Sequence, residues 1–261
     1  MTGEAQPAAA MPLRQLARGE TAALLLLAAA AWAATLVIAR GMAGMAGTMG
    51  LSFLLFLAVW TLMMAAMMLP SVAPTASVYA RSMGAPRSAR LTGLAIGYLI
   101  VWAAAGLPAY GLAALTGWLD SHHPGVAHGL AVAIFASCGV YQLTSLKDRC
   151  LAQCRSPFGL LLRYGSFRGR TRDLRVGAHH GAYCLGCCWA LMAILIAVGV
   201  MNIVAMVGLA ALILVEKTWA RGPVVARLAG VAALGLAAAT IWLPWLAPGL
   251  QAAHPMMGMG A

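Results

Sequence analysis

The sequence predicts an all-α polytopic membrane protein with about seven spans, and three observations support this. Its 261 residues are 62% hydrophobic and only 9% charged, which leaves too few polar side chains to cover an ordinary soluble domain. The apolar residues gather in runs close to the roughly 20 residues that one bilayer crossing needs. The basic residues lie between these runs, so the net charge of +11 does not indicate a nucleic-acid-binding surface.

Seven apolar runs are expected to form the spans. In chain order they are Thr21–Ala39, Leu51–Leu69, Leu91–Thr116, Ala127–Leu146, Ala182–Val200, Ile203–Val215 and Val224–Leu243. They define a membrane domain over residues 21–246, with tails at 1–20 and 247–261. The longest connection, 147–178, is rich in arginine and interrupted by glycine, so it is expected as a solvated loop or a short interfacial segment.

Basic residues fix the predicted orientation. If the spans alternate, 16 of the 17 lysines and arginines fall on one face, and only Arg40 falls on the other. The positive-inside rule then places the first tail and the 147–178 loop in the cytoplasm, and the 247–261 tail on the opposite side of the membrane. Anionic lipids are the expected partners of the basic face.

Methionine and histidine gather on the predicted outer side. The Gly/Ala-rich loop after the first span carries three methionines, and the last tail adds four further soft side chains: Met42, Met45, Met49, His254, Met256, Met257 and Met259. His122 and His123 lie in another outer loop, beside Asp120. Thioethers are uncharged ligands that suit Cu(I) in an oxidising compartment. The alternative is that the loop composition serves flexibility alone.

The second span carries a methionine stripe, consisting of Met63, Met64, Met67 and Met68. Residues four apart share a helical face, so two thioether pairs are expected on one broad stripe in the inner half of the membrane. This Met-x-x-x-Met spacing is similar to one in a span of eukaryotic high-affinity copper transporters, as a local likeness only. The alternative is ordinary packing, since methionine fills irregular gaps in apolar cores.

The fifth span begins with the densest group of soft ligands in the chain. On helical spacing His180, Cys184 and Cys188 follow one another at i, i+4, and Cys187 lies one turn from Cys184. Thiolates bind Cu(I) strongly, with Zn(II) as the alternative ion. A redox dithiol is a second interpretation, because Cys184 and Cys187 have the Cys-x-x-Cys spacing. Separate buried apolar cysteines are a third.

A further cysteine pair follows the fourth span on the same predicted side. Cys150 and Cys154 again have i, i+4 spacing, and we expect Lys147 and Arg149 to favour their thiolates as metal ligands. Structural disulfides are not expected on a reducing, cytoplasmic face. Cys138, alone in the middle of a span, is expected to be a small apolar side chain.

These strings together resemble a bacterial family of integral membrane proteins of unknown function that are described as predicted metal-binding proteins. The resemblance lies in Trp60–Ser71, in Tyr141–Lys147 followed by the Cys150/Cys154 pair, and in Tyr183–Trp189 with the stretch onward through Asn202 to Glu216-Lys217. It covers most of the chain from the second span onward. It implies metal binding in the inner membrane of a bacterium, with the 247–261 tail in the periplasm, and specifies neither the metal nor a reaction.

The sequence therefore predicts a Cu(I)-binding membrane protein that passes the ion between outer Met/His sites and inner Cys/His sites, and no enzymatic activity. A phosphate-binding glycine loop is absent from the sequence, so ATP-driven transport by this chain alone is not expected. Candidate partners are a metallochaperone or a second membrane subunit, and nucleic acid is not among them. The alternatives are a membrane scaffold without metal chemistry and a thiol oxidoreductase. Glu216, at the end of an apolar run, is expected to be functional or to form an interfacial pair with Lys217.

Overall fold

A computed structural model describes residues 19–42, 45, 47–81, 87–165, 167 and 169–250. Within these ranges the chain forms α-helices and two short 3-10 turns at Pro244–Leu246 and Pro248–Leu250, and no strand. The helices are α1 (Gly19–Arg40), α2 (Phe53–Arg81), α3 (Arg87–His122), α4 (Pro124–Gln142), α5 (Ser145–Arg155), α6 (Pro157–Tyr164), α7 (Arg172–Val198), α8 (Ile203–Thr218) and α9 (Gly222–Trp242). Most of the first tail and of the Met/His-containing last tail lies outside the described residues.

The predicted fold class, an all-α polytopic bundle, is confirmed. Six of the described helices are long and apolar enough to cross a membrane, namely α1, α2, α3, α4, α7 and α9. The seventh predicted span is α8, whose 16 residues reach roughly 24 Å. This is shorter than a full hydrocarbon core of about 30 Å. The protein is therefore a membrane protein whose described part contains six long apolar helices, the shorter apolar helix α8 and the two short helices α5 and α6.

The helices alternate in direction, which gives the bundle two distinct ends. We call the end that carries α5, α6 and the first turns of α7 and α9 the arginine-rich side. There the start of α1 meets the end of α2, with Glu20 Oε2 3.9 Å from Arg81 Nη1. At the opposite side the loop after α1 packs on the end of α3, where Gly47 approaches Gly117.

α2 continues helically through both of its prolines to Arg81. A proline inside a helix removes one backbone donor and leaves a carbonyl without its usual partner. Serine hydroxyls bond carbonyls in this segment: Ser71 Oγ donates to Met68 O at 2.8 Å, and Ser77 Oγ donates to Pro74 O at 2.8 Å. The helix is buried along most of this stretch, so neighbouring helices hold it in register.

α7 is the central helix of the bundle and packs most closely on α3. A Cβ at Gly97 would lie 2.0 Å from Leu174 O, and a Cβ at Gly177 would lie 2.0 Å from Leu94 O. Only glycine permits this approach of two backbones, as small residues commonly do between helices in lipid. Glycines on both helices therefore set the close spacing of α3 and α7.

α7 begins at Arg172, well before the predicted start of its span at Ala182. Hydropathy marks only the apolar part of a helix, whereas its first turns are polar and lie at the arginine-rich side. Tyr79 of α2 donates a hydrogen bond to Asp173 Oδ1 at 2.6 Å and ties these turns to the bundle. The 147–178 connection is therefore largely helical, with α5 and α6 inside it.

α5 folds back beneath α7 and delivers its buried face to that helix. Thr144 caps it by accepting a hydrogen bond from Lys147 N at 3.3 Å. Leu151 and Cys154 are 1% and 4% exposed. The Tyr141 hydroxyl just before α5 donates to Gly186 O of α7, which fixes the position of the turn between α4 and α5.

Candidate metal centre

Three cysteines of α7 converge at the arginine-rich end of the bundle. The Sγ atoms of Cys184, Cys187 and Cys188 all lie within 4.8 Å of one another, and the Cys187 and Cys188 sulfurs are 3.2 Å apart. All three side chains are at most 1% exposed. The i, i+3 and i, i+4 spacing of a helix produces this convergence directly.

A fourth sulfur comes from α5. Cys154 Sγ lies 3.7 Å from Cys187 Sγ. A tetrahedral ion with metal–sulfur bonds of about 2.3 Å separates its sulfurs by about 3.8 Å, so this pair already has a spacing that one ion can bridge. We refer to Cys154, Cys184, Cys187 and Cys188 as the cysteine cluster.

Two buried lysines border the cysteine cluster. Lys217 Nζ lies 2.9 Å from Cys184 Sγ and 3.2 Å from Ser71 Oγ. Lys147 Nζ donates to Cys187 O at 2.6 Å and to Glu216 Oε2 at 2.7 Å. A cation beside a thiolate stabilises it by direct attraction, and the low dielectric of a protein interior strengthens that attraction.

Glu216 belongs to the framework around the cysteine cluster. Its carboxylate accepts from Lys147 and, at 2.9 Å, from Gln142 Nε2, and the Arg155 guanidinium donates to its backbone carbonyl. The predicted interfacial pair between Glu216 and Lys217 is wrong. Neighbouring residues on a helix point about 100° apart, so the two side chains reach different partners on either side of α8.

An aromatic side chain closes another side of the cluster. Tyr98 Oη of α3 lies 2.8 Å from Cys184 Sγ, and the ring of His180 stacks on the Tyr98 ring at a centroid distance of 6.2 Å. Among the described residues, the group whose ligand atoms all lie within 4.8 Å of one another consists of the three α7 cysteines and does not include His180. His180 is therefore placed one turn away, in contact with the residue that touches Cys184.

The chemistry of this arrangement is that of a soft-metal site. Buried thiols beside fixed ammonium groups can lose their protons to a metal, and the donor set contains sulfur only. Comparison with known families agrees, because the profile of the family described as PpoB2, copper chaperone, matches residues 57–240. The chain belongs to this family. The match spans more than half of the chain and includes the methionine stripe and the cysteine cluster.

Membership of the copper chaperone family makes metal handling the shared property of the matched region. It also confirms the predicted relationship to an uncharacterised metal-binding membrane family. No curated protein and no solved structure shows a significant match to the chain.

The methionine stripe is fully buried, with Met63, Met64 and Met68 at 0% exposure and Met67 at 1%. Ser71 lies one turn beyond Met67 and two turns beyond Met64 on the same face of α2. Because Ser71 Oγ contacts the Lys217 ammonium that contacts Cys184, this face of α2 ends beside the cysteine cluster. Whether each methionine binds metal stays a prediction.

Cys150 lies elsewhere on α5. Its Sγ rests on Gly186 of α7, 2.9 Å from where a Cβ at that glycine would be. Burial raises the pKa of the Cys150 thiol, and the charge of Lys147 lowers it by less. Lys147 thus favours the thiolate, as predicted, but burial of the sulfur outweighs its charge.

The outer histidines surround an indole. His122 stacks on Trp118 at 5.0 Å and His123 lies against it at 5.5 Å, while His122 Nδ1 is 2.9 Å from Trp118 O. The contacts that position both imidazoles are those with Trp118. Met42, Met45 and Met49 are described, whereas His254, Met256, Met257 and Met259 lie outside the described residues.

Several neighbours of the cysteine cluster were not assigned to it from the sequence. Lys147, Lys217 and Glu216 carried a usable signal, because charged residues at the ends of apolar runs are costly and often functional. Tyr98 and Ser71 carried none, since hydroxyl side chains are common in spans and only the packing of α2 and α3 on α7 brings them to Cys184.

Proposed function

We propose that this protein binds Cu(I) at the cysteine cluster and passes it between the two sides of the bacterial inner membrane. The observation that carries the proposal is the convergence of buried sulfurs from α5 and α7 beside Lys217 and Lys147. Thiolates prefer soft ions, which places Cu(I) first and Zn(II) as the alternative. The family description, copper chaperone, supports the same metal.

In this proposal the arginine-rich side faces the cytoplasm. The positive-inside rule supports that orientation, and a reducing compartment keeps the six free cysteines available as thiols. The methionine stripe is the intermediate station, because its helical face ends at Ser71 next to the cluster. Thioethers bind Cu(I) without losing a proton, so the ion meets neutral sulfur in the membrane and thiolates at the end of its path.

The proposal is tested by titrating the purified full-length protein with Cu(I) against a competing chelator. Replacing Cys184, Cys187 or Cys188 with alanine removes one sulfur from the group and is expected to weaken Cu(I) binding at least tenfold. Cys154→Ala distinguishes a four-sulfur site from a three-sulfur site. A parallel Zn(II) titration identifies the preferred ion.

Cys138→Ala is the matched control. Cys138 is also a fully buried cysteine of a spanning helix, at 0% exposure, but it lies on α4 outside the cluster. We expect this variant to bind Cu(I) as the parent protein does. Equal losses for Cys138→Ala and Cys184→Ala, or no Cu(I) binding by the parent, would refute the proposal and leave a scaffold role.

A second candidate function, thiol–disulfide exchange, is favoured by the 3.7 Å separation of the Cys154 and Cys187 sulfurs. In that reaction the two thiols form one disulfide and release two protons, and their two electrons reduce a disulfide of a partner protein to a dithiol. Thiol trapping in cells tests it. A Cys154–Cys187 disulfide that accumulates when its own re-reduction is blocked supports exchange, whereas permanently reduced thiols exclude it.

A further inference from the structure

A pocket lies at the opposite side of the bundle from the cysteine cluster. It has a volume of about 490 Å³ and is bordered by the end of α1, the turn between α7 and α8, and the segment Pro248-Gly249. Gly199 at its edge follows Cys188 by three turns of α7, a distance of roughly 16 Å along the helix axis. The pocket is therefore separate from the cysteine cluster.

Three methionine side chains line this pocket: Met42, Met45 and Met201. Met42 and Met45 are held by a turn, in which Met42 N donates to Ala39 O at 3.1 Å and Met45 N donates to Met42 O at 3.2 Å. Met201 comes from a segment far away in sequence. The tight α7–α8 turn presents it, with Asn202 N donating to Gly199 O at 3.0 Å.

The third methionine of the outer loop is excluded from the pocket. Met49 adopts a left-handed backbone conformation with φ of 58°, and its side chain is only 3% exposed. The predicted trio of Met42, Met45 and Met49 is thus split, and Met201 takes the third position. Met49 can therefore serve as a control for substitutions of the methionines that line the pocket.

Packing alone does not account for these side chains. Met45 is 47% exposed, which makes it one of the large apolar side chains left open to the surroundings. Met42 is half-buried, and Met201 is 6% exposed. A methionine that served only to fill a gap would be enclosed by its neighbours. Here three thioethers instead border an open volume.

The side chains that line the pocket favour a soft metal ion of low charge. Among the described residues that line it, carboxylates and imidazoles do not occur, and the side-chain oxygen of Asn202 is engaged in capping α8, where it accepts a hydrogen bond from Ala205 N at 3.1 Å. The thioether sulfurs are the side-chain donors left for a metal ion. Hard divalent ions need oxygen ligands and gain nothing from thioethers. Arg40 also lies at the rim, and its charge repels a divalent ion twice as strongly as a monovalent one.

We propose that Met42, Met45 and Met201 form a thioether site for a monovalent soft metal ion on the side opposite the cysteine cluster. The site deepens the proposed function, on which it rests for the identification of the ion as Cu(I). It provides the first station of the path, and the cysteine cluster provides the last. Because thioethers carry no proton, binding at this site is independent of pH.

The test uses Ag(I) as a redox-stable monovalent probe on the full-length protein. We expect two classes of site, a tight class that weakens as the pH falls from 7 to 5 and a weaker class that does not change. Met42→Leu, Met45→Leu and Met201→Leu are each expected to weaken the second class at least tenfold and to leave the first unchanged. Leucine keeps the volume and removes the sulfur.

Met49→Leu and Met206→Leu are the matched controls, since both side chains are buried outside the pocket. Equal effects of Met49→Leu and Met42→Leu, or a pH-independent class that survives all three pocket variants, would overturn the inference. Met45 is half exposed, so its replacement tests the site even if Met201→Leu fails to fold. If the parent protein shows the weaker class of site but not the tight class, the result counts against the proposed function and still supports this site.

Discussion

Removing the Glu216 carboxylate is expected to destabilise the protein strongly. Lys147 and Glu216 are 0% and 1% exposed and form a 2.7 Å ion pair. Burial by itself lowers the pKa of Lys147, but the charges of Cys188, Glu216 and Cys187 raise it above its ordinary value of 10.5. The amine is therefore charged at neutral pH, and Glu216→Ala leaves a buried ammonium without its counter-ion.

Breaking one partner of a buried pair costs about 3–5 kcal/mol. That loss corresponds to roughly a 150- to 5000-fold change in the folding equilibrium. Gln142 Nε2 loses its acceptor at the same time, which places Glu216→Ala toward the upper end. The double variant Lys147→Met/Glu216→Gln removes both charges and keeps an acceptor for Gln142, so we expect it within about 1 kcal/mol of the parent.

The measurement is reversible unfolding in mixed micelles, with Lys147→Met and Glu216→Gln as the single variants that complete a double-mutant cycle with the double variant. The chain supplies a control in Asp148 and Arg227, an ion pair at 3.5 Å whose side chains are 39% and 64% exposed. Asp148→Ala is expected to cost less than about 1 kcal/mol, because water screens that pair. If Glu216→Ala costs no more than Asp148→Ala, the reasoning about a desolvated ion pair at this site is refuted.

Three other predictions follow from the packing and the sulfur positions. Gly97→Ala places a Cβ 2.0 Å from a backbone carbonyl of α7 and is expected to cost about 3 kcal/mol or prevent folding, whereas Gly235→Ala, with open space around it, leaves detergent melting unchanged or slightly improved. Met67→Leu is expected to slow Cu(I) uptake into proteoliposomes while Cu(I) affinity is kept, and Met206→Leu leaves uptake unchanged; equal rates for both would argue against the methionine stripe as a path. The pKa of Cys150 is raised above its ordinary value of 9.0, so its thiol stays mostly protonated up to that pH. The rate of alkylation at Cys150, measured on its own peptide, is therefore expected still to rise tenfold per pH unit at pH 9.0. A plateau in this rate below pH 9.0 contradicts the burial assigned to this sulfur.

The sequence was sufficient for the fold because lipid imposes a simple rule. Every crossing helix must satisfy its own backbone and show apolar side chains to lipid, so the runs of hydrophobic residues translate directly into α1 to α4 and α7 to α9. The boundaries were less certain. α7 begins at Arg172 because its polar first turns pack on Tyr79, and hydropathy does not register a helix that continues beyond the membrane.

The candidate site was predictable only within single helices. The i, i+3 and i, i+4 spacing of Cys184, Cys187 and Cys188 follows from helical geometry, and the structure places these sulfurs together as expected. The contact of Cys154 with Cys187 depends on how α5 folds back beneath α7. The contact of Lys217 with Cys184 depends on the packing of α8 beside α2. Neither arrangement has a periodic signature in the sequence.

The positions of the charged residues account for the difference between the two proposed metal sites. Thiolates in a low-dielectric interior need cations nearby, and Lys147 and Lys217 supply them at the arginine-rich side. Thioethers need no counter-charge, so the pocket of Met42, Met45 and Met201 can lie at the side where Arg40 is the single lysine or arginine among the described residues. On the proposed path a monovalent soft ion gains affinity at its last step, when neutral sulfur is exchanged for thiolate. A hard divalent ion would need carboxylates at every stage, and the one carboxylate found at the cysteine cluster, Glu216, is already held by Lys147 and Gln142. Under the proposed function, selectivity for a soft monovalent ion and a net direction of flow would therefore share one physical cause, the concentration of buried charge at one end of the described part of the bundle.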